Sequence, residues 1–277
     1  MKECEGSFFM RNGQLEQCAD FDPCFLQDPY YIYEVFRVID GVPLFLEDHH
    51  ERLLLTTRLS DITEALVPHD LPHQVSMIIK ANNLITGNMK IVVHQQATGA
   101  CLTVFLIYIA EHQYPTREQF EKGVEVVLFE GIRANPNAKV MDVSLRNKTN
   151  EVKQQQDVYE TLLVDQHHCI TEGSRSNVFF VRNNQLITPP LEDVLPGVTR
   201  KHIIDLCARH QIPFSEEKVP ATALAELEAV FISGTSRKVL PVKQIDSHSY
   251  NVDHPLVRKI QQAFDQEVHE YIAHHKQ

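Results

Sequence analysis

The chain has few of the features that mark a metal-binding or secreted protein. Its six cysteines are scattered over 277 residues, and no two of them form a C-x-x-C pair. The sequence therefore predicts neither a zinc site nor a disulfide framework. The fifteen histidines include adjacent pairs, but adjacent residues do not share a helix face, and no H-E-x-x-H motif occurs. We expect no dedicated metal site.

Long apolar runs and basic clusters are also missing. No segment approaches the length that crosses a membrane, and the first residues lack the apolar core of a signal peptide. The net charge is −11 without blocks of like charge, which disfavours nucleic acid and anionic membranes as partners. These absences predict a cytoplasmic protein that binds neither nucleic acid nor membrane.

The order of strand and helix signals is typical of an α+β protein with two domains. Residues 31–39 alternate with period two, Asp40-Gly41 predicts a tight turn, and residues 46–59 predict a helix with acids in its first turn. The polar segment 113–122 is predicted to link a smaller N-terminal domain, residues 1–112, to a C-terminal domain, residues 123–277.

The stretch from residue 169 to residue 200 carries the strongest functional signal. It places Glu172 before a Ser/Gly turn, and two predicted strands and a proline-rich loop follow. The loop ends on Gly197-Val198-Thr199, where a helix is predicted to begin. Backbone N–H groups at a helix start attract phosphate. This one stretch of sequence therefore combines a carboxylate with a possible phosphate site. The stretch predicts a phosphorylated cofactor with a basic ring nitrogen.

Two further groups could complete such a phosphate site. The cluster Ser233-Gly234-Thr235-Ser236 follows a predicted strand, which is a setting for a nest of backbone N–H groups. Arg52 lies on a predicted helix, three residues after His49 and therefore on the same face. A lysine able to form a Schiff base would still be needed.

The runs ITEGSRSNVFFV and LITPPLEDVLPGVTR resemble the signature of the class IV aminotransferases, the fold-type-IV enzymes that use pyridoxal 5′-phosphate (PLP). The resemblance continues in YEVFR, LEDH, FISGT and LPV and so covers nearly the whole chain. That family includes branched-chain and D-amino acid aminotransferases and aminodeoxychorismate lyase. It implies a smaller N-terminal α/β domain, a larger C-terminal domain with a β-barrel-like sheet, and a homodimer.

The resemblance also implies the role of each matching residue. Glu172 would pair with the pyridine nitrogen of PLP and keep it protonated. Lys139, which is 33 positions before Glu172, would form the Schiff base and move the proton between substrate and cofactor. Lys148 and Lys153 also precede Glu172, but both fall inside a predicted helix, residues 143–156. The cofactor-binding residues implied in this way are Arg52, Lys139, Glu172, Gly197, Val198, Thr199 and Thr235.

The chain departs from the family pattern at two places. Val143 and Ser144 stand where a tyrosine usually lies beside the phenolic oxygen of the cofactor. The run IVVHQQATGACL lacks the arginine that D-amino acid aminotransferases use to hold a substrate carboxylate. Arg237 could replace that arginine, beside Ser236, and Tyr33 could line the substrate pocket; an exposed loop arginine and a packing tyrosine are the alternatives.

Four functions remain open from the sequence. The resemblance favours an aminotransferase that acts on an amino acid and a 2-oxo acid through Lys139. A lyase of the aminodeoxychorismate type would use the same cofactor but release pyruvate. The two departures also allow a PLP-binding protein without turnover, and an α+β protein without a cofactor is the remaining possibility.

Overall fold

The computed structural model describes residues 3–26, 31–60, 62, 64–95 and 103–276. These residues form two compact units that are not continuous in sequence. The first unit takes its residues from Met1–Gln113, Ala138–Asp142 and Val268–Gln277, and the second from Tyr114–Asn137 and Val143–Glu267. The predicted limits 1–112 and 123–277 are continuous, so they do not include the return of residues 138–142 to the first unit.

The first unit is built on a sheet whose described strands are all antiparallel, in the order β2-β1-β6-β5-β3-β4. Two helices, α1 (Leu46–Leu59) and α2 (Leu71–Ala81), accompany it. The strands are β1 (Cys4–Arg11), β2 (Gln14–Gln17), β3 (Ile32–Ile39), β4 (Val42–Pro43), β5 (Gly87–Gln95) and β6 (Thr103–Ala110).

Both faces of this sheet are apolar, and each belongs to a different core. Successive side chains of a strand point to opposite faces. Residues such as Ile32, Phe36 and Ile91 pack with α1 and α2 in one core. Tyr33 and Tyr108 belong to the opposite core, together with aromatic residues near the N-terminus. The first unit therefore has one face covered by helices and a second face rich in tyrosine.

The second unit is built on a larger mixed sheet. Its path runs β12-β11-β10-β14-β15-β7-β8-β9-β13, and β16 pairs with β15. The strands are β7 (Val124–Glu130), β8 (Glu160–Val164), β9 (Cys169–Gly173), β10 (Asn177–Arg182), β11 (Gln185–Thr188), β12 (Phe214–Glu216), β13 (Val219–Pro220), β14 (Ala229–Gly234), β15 (Lys238–Ile245) and β16 (His248–Ser249).

Four more helices follow α2 along the chain. They are α3 (Arg117–Lys122), α4 (Val143–Gln156), α5 (Val198–Arg209) and α6 (Pro255–His275). The segment predicted as a linker thus contains α3, which begins at a capping box between Thr116 and Gln119. No helix in the described part of the chain is long and apolar enough to span a bilayer.

The expectation that no disulfide forms was wrong for one pair of cysteines. The structure joins Cys4, at the start of β1, to Cys18, directly after β2. Their Cα atoms are 6.0 Å apart because the β1–β2 hairpin brings residues 14 positions apart side by side. The C-x-x-C rule does not detect such a pair. Cys24, Cys169 and Cys207 form no disulfide among the described residues, and Cys101 lies outside those residues.

Candidate active site

The first unit contains a fully buried charge cluster on the helix-covered face of its sheet. Glu34 of β3 accepts hydrogen bonds from Arg52 Nε at 2.8 Å and from Arg52 Nη2 at 2.7 Å. His49 Nδ1 lies 2.9 Å from the same carboxylate. The three side chains are 0%, 7% and 3% exposed. Since Arg52 and His49 are three residues apart on α1, both reach the same carboxylate.

The charges in this cluster follow from its burial. Burial alone would raise the pKa of Glu34, but the charge and hydrogen bonds of Arg52 lower it to about 2. Burial lowers the pKa of His49, and Arg52 and Lys139 lower it further. The hydrogen bond and charge of Glu34 act in the opposite direction and offset part of this lowering. The fork of Arg52 is held in one orientation by an ionised partner.

Lys139 is fixed to β3 by its backbone. β4 pairs only with Val38 and Ile39, so the first half of β3 is left with an open edge. Residues 138–142 fill that edge, with the Tyr33 N–H donating to Lys139 O at 3.1 Å and the Met141 N–H donating to Tyr31 O at 2.8 Å. The Lys139 ammonium nitrogen lies 4.6 Å from the centroid of the Tyr33 ring. Lys139 and Tyr33, two of the predicted site residues, thus lie next to each other.

The other two candidate lysines have different environments. Lys148 and Lys153 both lie in α4, in the second unit. Lys148 is exposed, whereas Lys153 is partly buried, and this burial lowers its pKa. Both lysines lie on the helix predicted for them, Lys148 on its solvated face and Lys153 near the buried Glu160.

In the second unit, Glu172 is a buried carboxylate near the end of β9. Arg133 Nε donates to one of its oxygens at 2.6 Å, and the Leu195 N–H donates to the other at 3.2 Å. The side chain of Glu172 is 3% exposed, and that of Arg133 is 13% exposed. Arg133 also donates to Ser174 O, which ties the carboxylate to the turn that follows it. Charge-assisted hydrogen bonds of this kind favour an ionised carboxylate.

A second buried carboxylate, Glu160 of β8, holds the turn after Glu172. It accepts from the Ser174 hydroxyl at 2.9 Å and from the Arg175 N–H at 2.6 Å. Arg237 forms an ion pair with it, with Nε at 2.9 Å from Oε2. Burial alone would raise the pKa of Glu160, but Arg237, Lys153 and these hydrogen bonds lower it. The predicted substrate residue Arg237 is therefore paired with a buried carboxylate.

The predicted phosphate cradle lies at the start of α5. Gly197 is the N-cap residue and has no side chain that could cap the helix. The first N–H groups of α5 therefore receive no hydrogen bond from the N-cap side chain. A methyl group on Gly197 would come within 2.0 Å of Asn177 Oδ1. The Asn177 amide donates to Leu195 O at 2.9 Å and so fixes the loop that carries Gly197. Val198 and Thr199, which follow, are buried.

The cluster after β14 belongs to the same region of the second unit. Ser233 pairs in register with Asn177, so the two side chains share a face of the sheet. The Ser233 hydroxyl is fully buried and has no hydrogen-bond partner among the described residues. Ser236 is 4% exposed. The acceptor carboxylate of Glu172, the helix start after Gly197, which has no side-chain cap, and the buried, unsatisfied Ser233 hydroxyl suit a cationic ring carrying a phosphate.

The comparison with known families decides the identity of this arrangement. The model of the amino-transferase class IV family matches residues 31–245, which is most of the chain. The chain belongs to the class IV aminotransferases. Like other members of the family, it is an enzyme that uses PLP. The resemblance seen in the sequence and the predicted fold class are both confirmed.

Similar proteins come from several branches of this family. The chain is 28% identical over 259 residues to a D-alanine aminotransferase of Staphylococcus epidermidis. The aligned region covers 88% of this chain and 89% of the relative. The branched-chain amino acid aminotransferase of Escherichia coli superposes with a TM-score of 0.84 at 23% identity, covering 95% of both chains. A candidate 4-amino-4-deoxychorismate lyase of Legionella pneumophila superposes with a TM-score of 0.75 at 23% identity. This match covers 89% of this chain and 93% of the other chain.

Sequence reasoning missed several residues that hold the predicted ones in place. They are Glu34, His49, Arg133, Glu160 and Asn177. Glu34 has a readable signal, because period-two alternation puts it on the apolar face of β3 with Ile32 and Phe36. The pairing of Arg133 with Glu172 has no such signal, since the two residues are 39 positions apart. Among the described residues, no group of three metal-ligating side chains occurs.

Removing the charge of Glu34 should strongly destabilise the protein. We expect Glu34→Gln to lower the free energy of unfolding by about 3–5 kcal/mol, because it leaves Arg52 buried without its ionised partner. Urea unfolding measures this, and Glu51→Gln is the control, because Glu51 is exposed on the helix that carries Arg52. A loss in Glu34→Gln of less than about 1 kcal/mol, no larger than the loss in Glu51→Gln, would contradict a buried ion pair.

The difference in the free energy of unfolding between wild type and Glu34→Gln should depend on pH. The folded-state pKa of Glu34 is about 2, against an ordinary value of 4.5, so its stabilising charge is fully present above pH 4.5. That contribution is lost as the pH falls from 4.5 towards 2, because protons then bind to Glu34. We expect the stability gap to be constant from pH 7 to pH 5 and to narrow below it. A constant gap down to pH 3 would show that folding does not lower the pKa of this carboxylate.

Proposed function

We propose that this enzyme transfers an amino group between an amino acid and a 2-oxo acid, with Lys139 as the lysine that carries PLP. The observation that supports this most directly is the position of Lys139, whose backbone is fixed along the open edge of β3 and whose amine lies over the Tyr33 ring. When bound, PLP supplies an electron sink that stabilises negative charge on a substrate carbon. The chain supplies the binding groups and the proton transfer.

The residues proposed to bind PLP are of three kinds: an acceptor carboxylate, a set of N–H and O–H donors, and a cation. Glu172 receives the protonated ring nitrogen, and Arg133 keeps its carboxylate ionised and fixed. The N–H groups of Val198 and Thr199, opened by Gly197 at the N-cap, receive the phosphate, with Thr235 after β14. Arg52 adds a positive charge to the phosphate, and Glu34 sets the orientation of its guanidinium.

Lys139 is proposed to do two things in turn. Its amine would hold the cofactor covalently. As a base, the same amine would take the proton from the substrate α carbon and deliver it to the C4′ carbon of the cofactor. The Tyr33 ring stabilises the protonated amine between these two moves, because an aromatic face attracts an ammonium group.

The substrate is proposed to meet Tyr33, Ser236 and Arg237. Arg237 is paired with Glu160 and lies over the Tyr159 ring, which fixes its position and balances part of its charge. Val143 and Ser144, at the start of α4, are both exposed, so neither replaces the family tyrosine in shape or in hydrogen bonding. This departure favours a test of the lyase reaction beside the aminotransferase reaction.

We further propose that the enzyme is a cytoplasmic homodimer. The dimer is supported by the resemblance to the family alone. The cytoplasm is supported by Cys169 and Cys207, which form no disulfide among the described residues. The buried Cys4–Cys18 bridge is unusual for that compartment, where most thiols are kept reduced.

Replacing Lys139 should abolish both the cofactor signal and the reaction. We expect Lys139→Ala to lose the visible absorption band of lysine-bound PLP and to lower amino transfer from glutamate by at least about 100-fold. Lys148→Ala, on the exposed face of α4, is the matched control and should keep both. A band that survives in Lys139→Ala would place the cofactor on another lysine. Pyruvate released from aminodeoxychorismate, without amino transfer, would identify the lyase instead.

Adding a methyl group to Gly197 should weaken PLP binding. We expect Gly197→Ala to raise the dissociation constant for PLP about tenfold or more, because the methyl group would displace Asn177 and the N–H groups of α5. Equilibrium dialysis of the cofactor-free protein measures this without any reaction. Gly87→Ala, in β5 of the first unit, is the control, since its added methyl group would meet chiefly the end of the Leu84 side chain. Equal binding in both variants would remove Gly197 from the phosphate site.

A further inference from the structure

Lys90 is a charged residue on the tyrosine-rich face of the first unit. It lies in β5 between Met89 and Ile91, both of which point to the helix-covered core. Alternation along the strand therefore turns Lys90 to the opposite face, with Val92. It is only 9% exposed. A buried ammonium group is costly, so its presence on an apolar face suggests a function rather than packing.

Three tyrosine rings surround the Lys90 amine. Its nitrogen lies 5.3, 5.8 and 5.6 Å from the ring centroids of Tyr31, Tyr33 and Tyr108. It also donates to the Tyr31 hydroxyl, with a nitrogen–oxygen distance of 3.4 Å. The register of the sheet creates this arrangement, because Lys90 stands directly opposite Tyr108 on β6 and diagonally to Tyr33 on β3.

The hydroxyl of Tyr108 supplies an independent sign of a missing ligand. Tyr108 is fully buried, and its hydroxyl oxygen has no hydrogen-bond partner among the described residues. Burial raises its pKa, and nearby Glu3 and Tyr31 raise it further, so the group stays protonated and can donate. A buried donor without an acceptor is destabilising, which makes an acceptor supplied by a ligand favourable.

Lys90 and the proposed cofactor lysine share one aromatic ring. The Lys139 amine lies 4.6 Å from the Tyr33 centroid, and the Lys90 amine lies 5.8 Å from it. Tyr33 therefore adjoins both amines. At Lys90 a substrate carboxylate would find an ammonium group and two phenolic hydroxyls, all of which can donate hydrogen bonds.

The arginine that binds a substrate carboxylate in D-amino acid aminotransferases has no counterpart in the matching stretch of this chain. Residues 91–102 contain no arginine, and of these only 91–95 belong to the described part of the chain. Arg237, the other candidate anion receptor, has a carboxylate partner in Glu160. We propose that Lys90, together with the hydroxyls of Tyr31 and Tyr108, binds a carboxylate group of the substrate. This inference rests on the proposed function of Lys139.

Three variants test the proposal by separating charge, hydrogen bonding and packing. Lys90→Met keeps the length of the side chain but removes its charge, and Lys90→Arg restores the charge. Tyr108→Phe removes only the unpartnered hydroxyl, so a purely structural role predicts unchanged or improved folding. Lys80→Met, at an exposed position on α2, is the control.

Steady-state kinetics with alanine, glutamate and 2-oxoglutarate give the first readout. We expect Lys90→Met to raise KM by about 10–100-fold, with a smaller change in kcat, and Lys90→Arg to recover most of the loss. A rise with alanine and glutamate alike assigns the α-carboxylate, whereas a rise with the dicarboxylic substrates alone assigns the distal one. Unchanged KM values in Lys90→Met and Tyr108→Phe would overturn the proposal.

Calorimetric titration of the holoenzyme with glutarate gives a second readout without turnover. Glutarate has carboxylates but no amino or keto group, so it reports the carboxylate site alone. Binding should weaken in Lys90→Met and Tyr108→Phe but not in Lys80→Met. If Lys90→Met does not fold, Tyr108→Phe decides alone. Wild-type turnover and the absorption band test the proposed function separately, so a failure of the Lys90 site is distinguishable from a failure of the whole assignment.

Discussion

The edge of β3 that β4 does not cover is the constraint on which the position of Lys139 depends. β4 is only two residues long and pairs with Val38 and Ile39, so it does not reach Tyr31 and Tyr33. Backbone groups inside a protein need partners, so residues 138–142 are held there by hydrogen bonds. The position of Lys139 follows from backbone pairing, and its side chain needs only to lie over Tyr33.

The same strand organises charge on both of its faces. Glu34 points to the helix-covered side and fixes Arg52, whereas Tyr33 points to the other side and meets two lysines. Because side chains alternate along a strand, neighbouring residues can serve two different tasks without competing for space. A shift of register by one residue would exchange the two faces and destroy both.

Arg52 and Glu172, which we propose to bind PLP, each have a partner of opposite charge. Arg52 has Glu34, and Glu172 has Arg133. Replacing such pairs by apolar residues is often neutral for stability, so their stabilising energy alone does not explain why they are present. Orientation does explain it, because a pyridine nitrogen and a phosphate are bound by groups that must be ionised and fixed.

Much of the fold and of the site could be predicted from sequence, because the signals are local. The helix predicted over residues 46–59 coincides with α1, and the Asp40-Gly41 turn has the positive φ values that a tight hairpin needs. The candidate residues came from runs of sequence that resemble the family. What could not be predicted depends on contacts between distant positions: Arg133 with Glu172, Arg237 with Glu160, the Cys4–Cys18 bridge and the return of residues 138–142 to β3.

The central claim is that Lys139 carries the cofactor, and one chemical experiment tests it directly. Borohydride reduction of the holoenzyme fixes PLP permanently to the lysine that holds it, and peptide mapping by mass spectrometry then locates the label. The account predicts the label on Lys139, within the segment 138–142 that pairs with β3. A label on Lys153, on Lys148 or on any other lysine would contradict it.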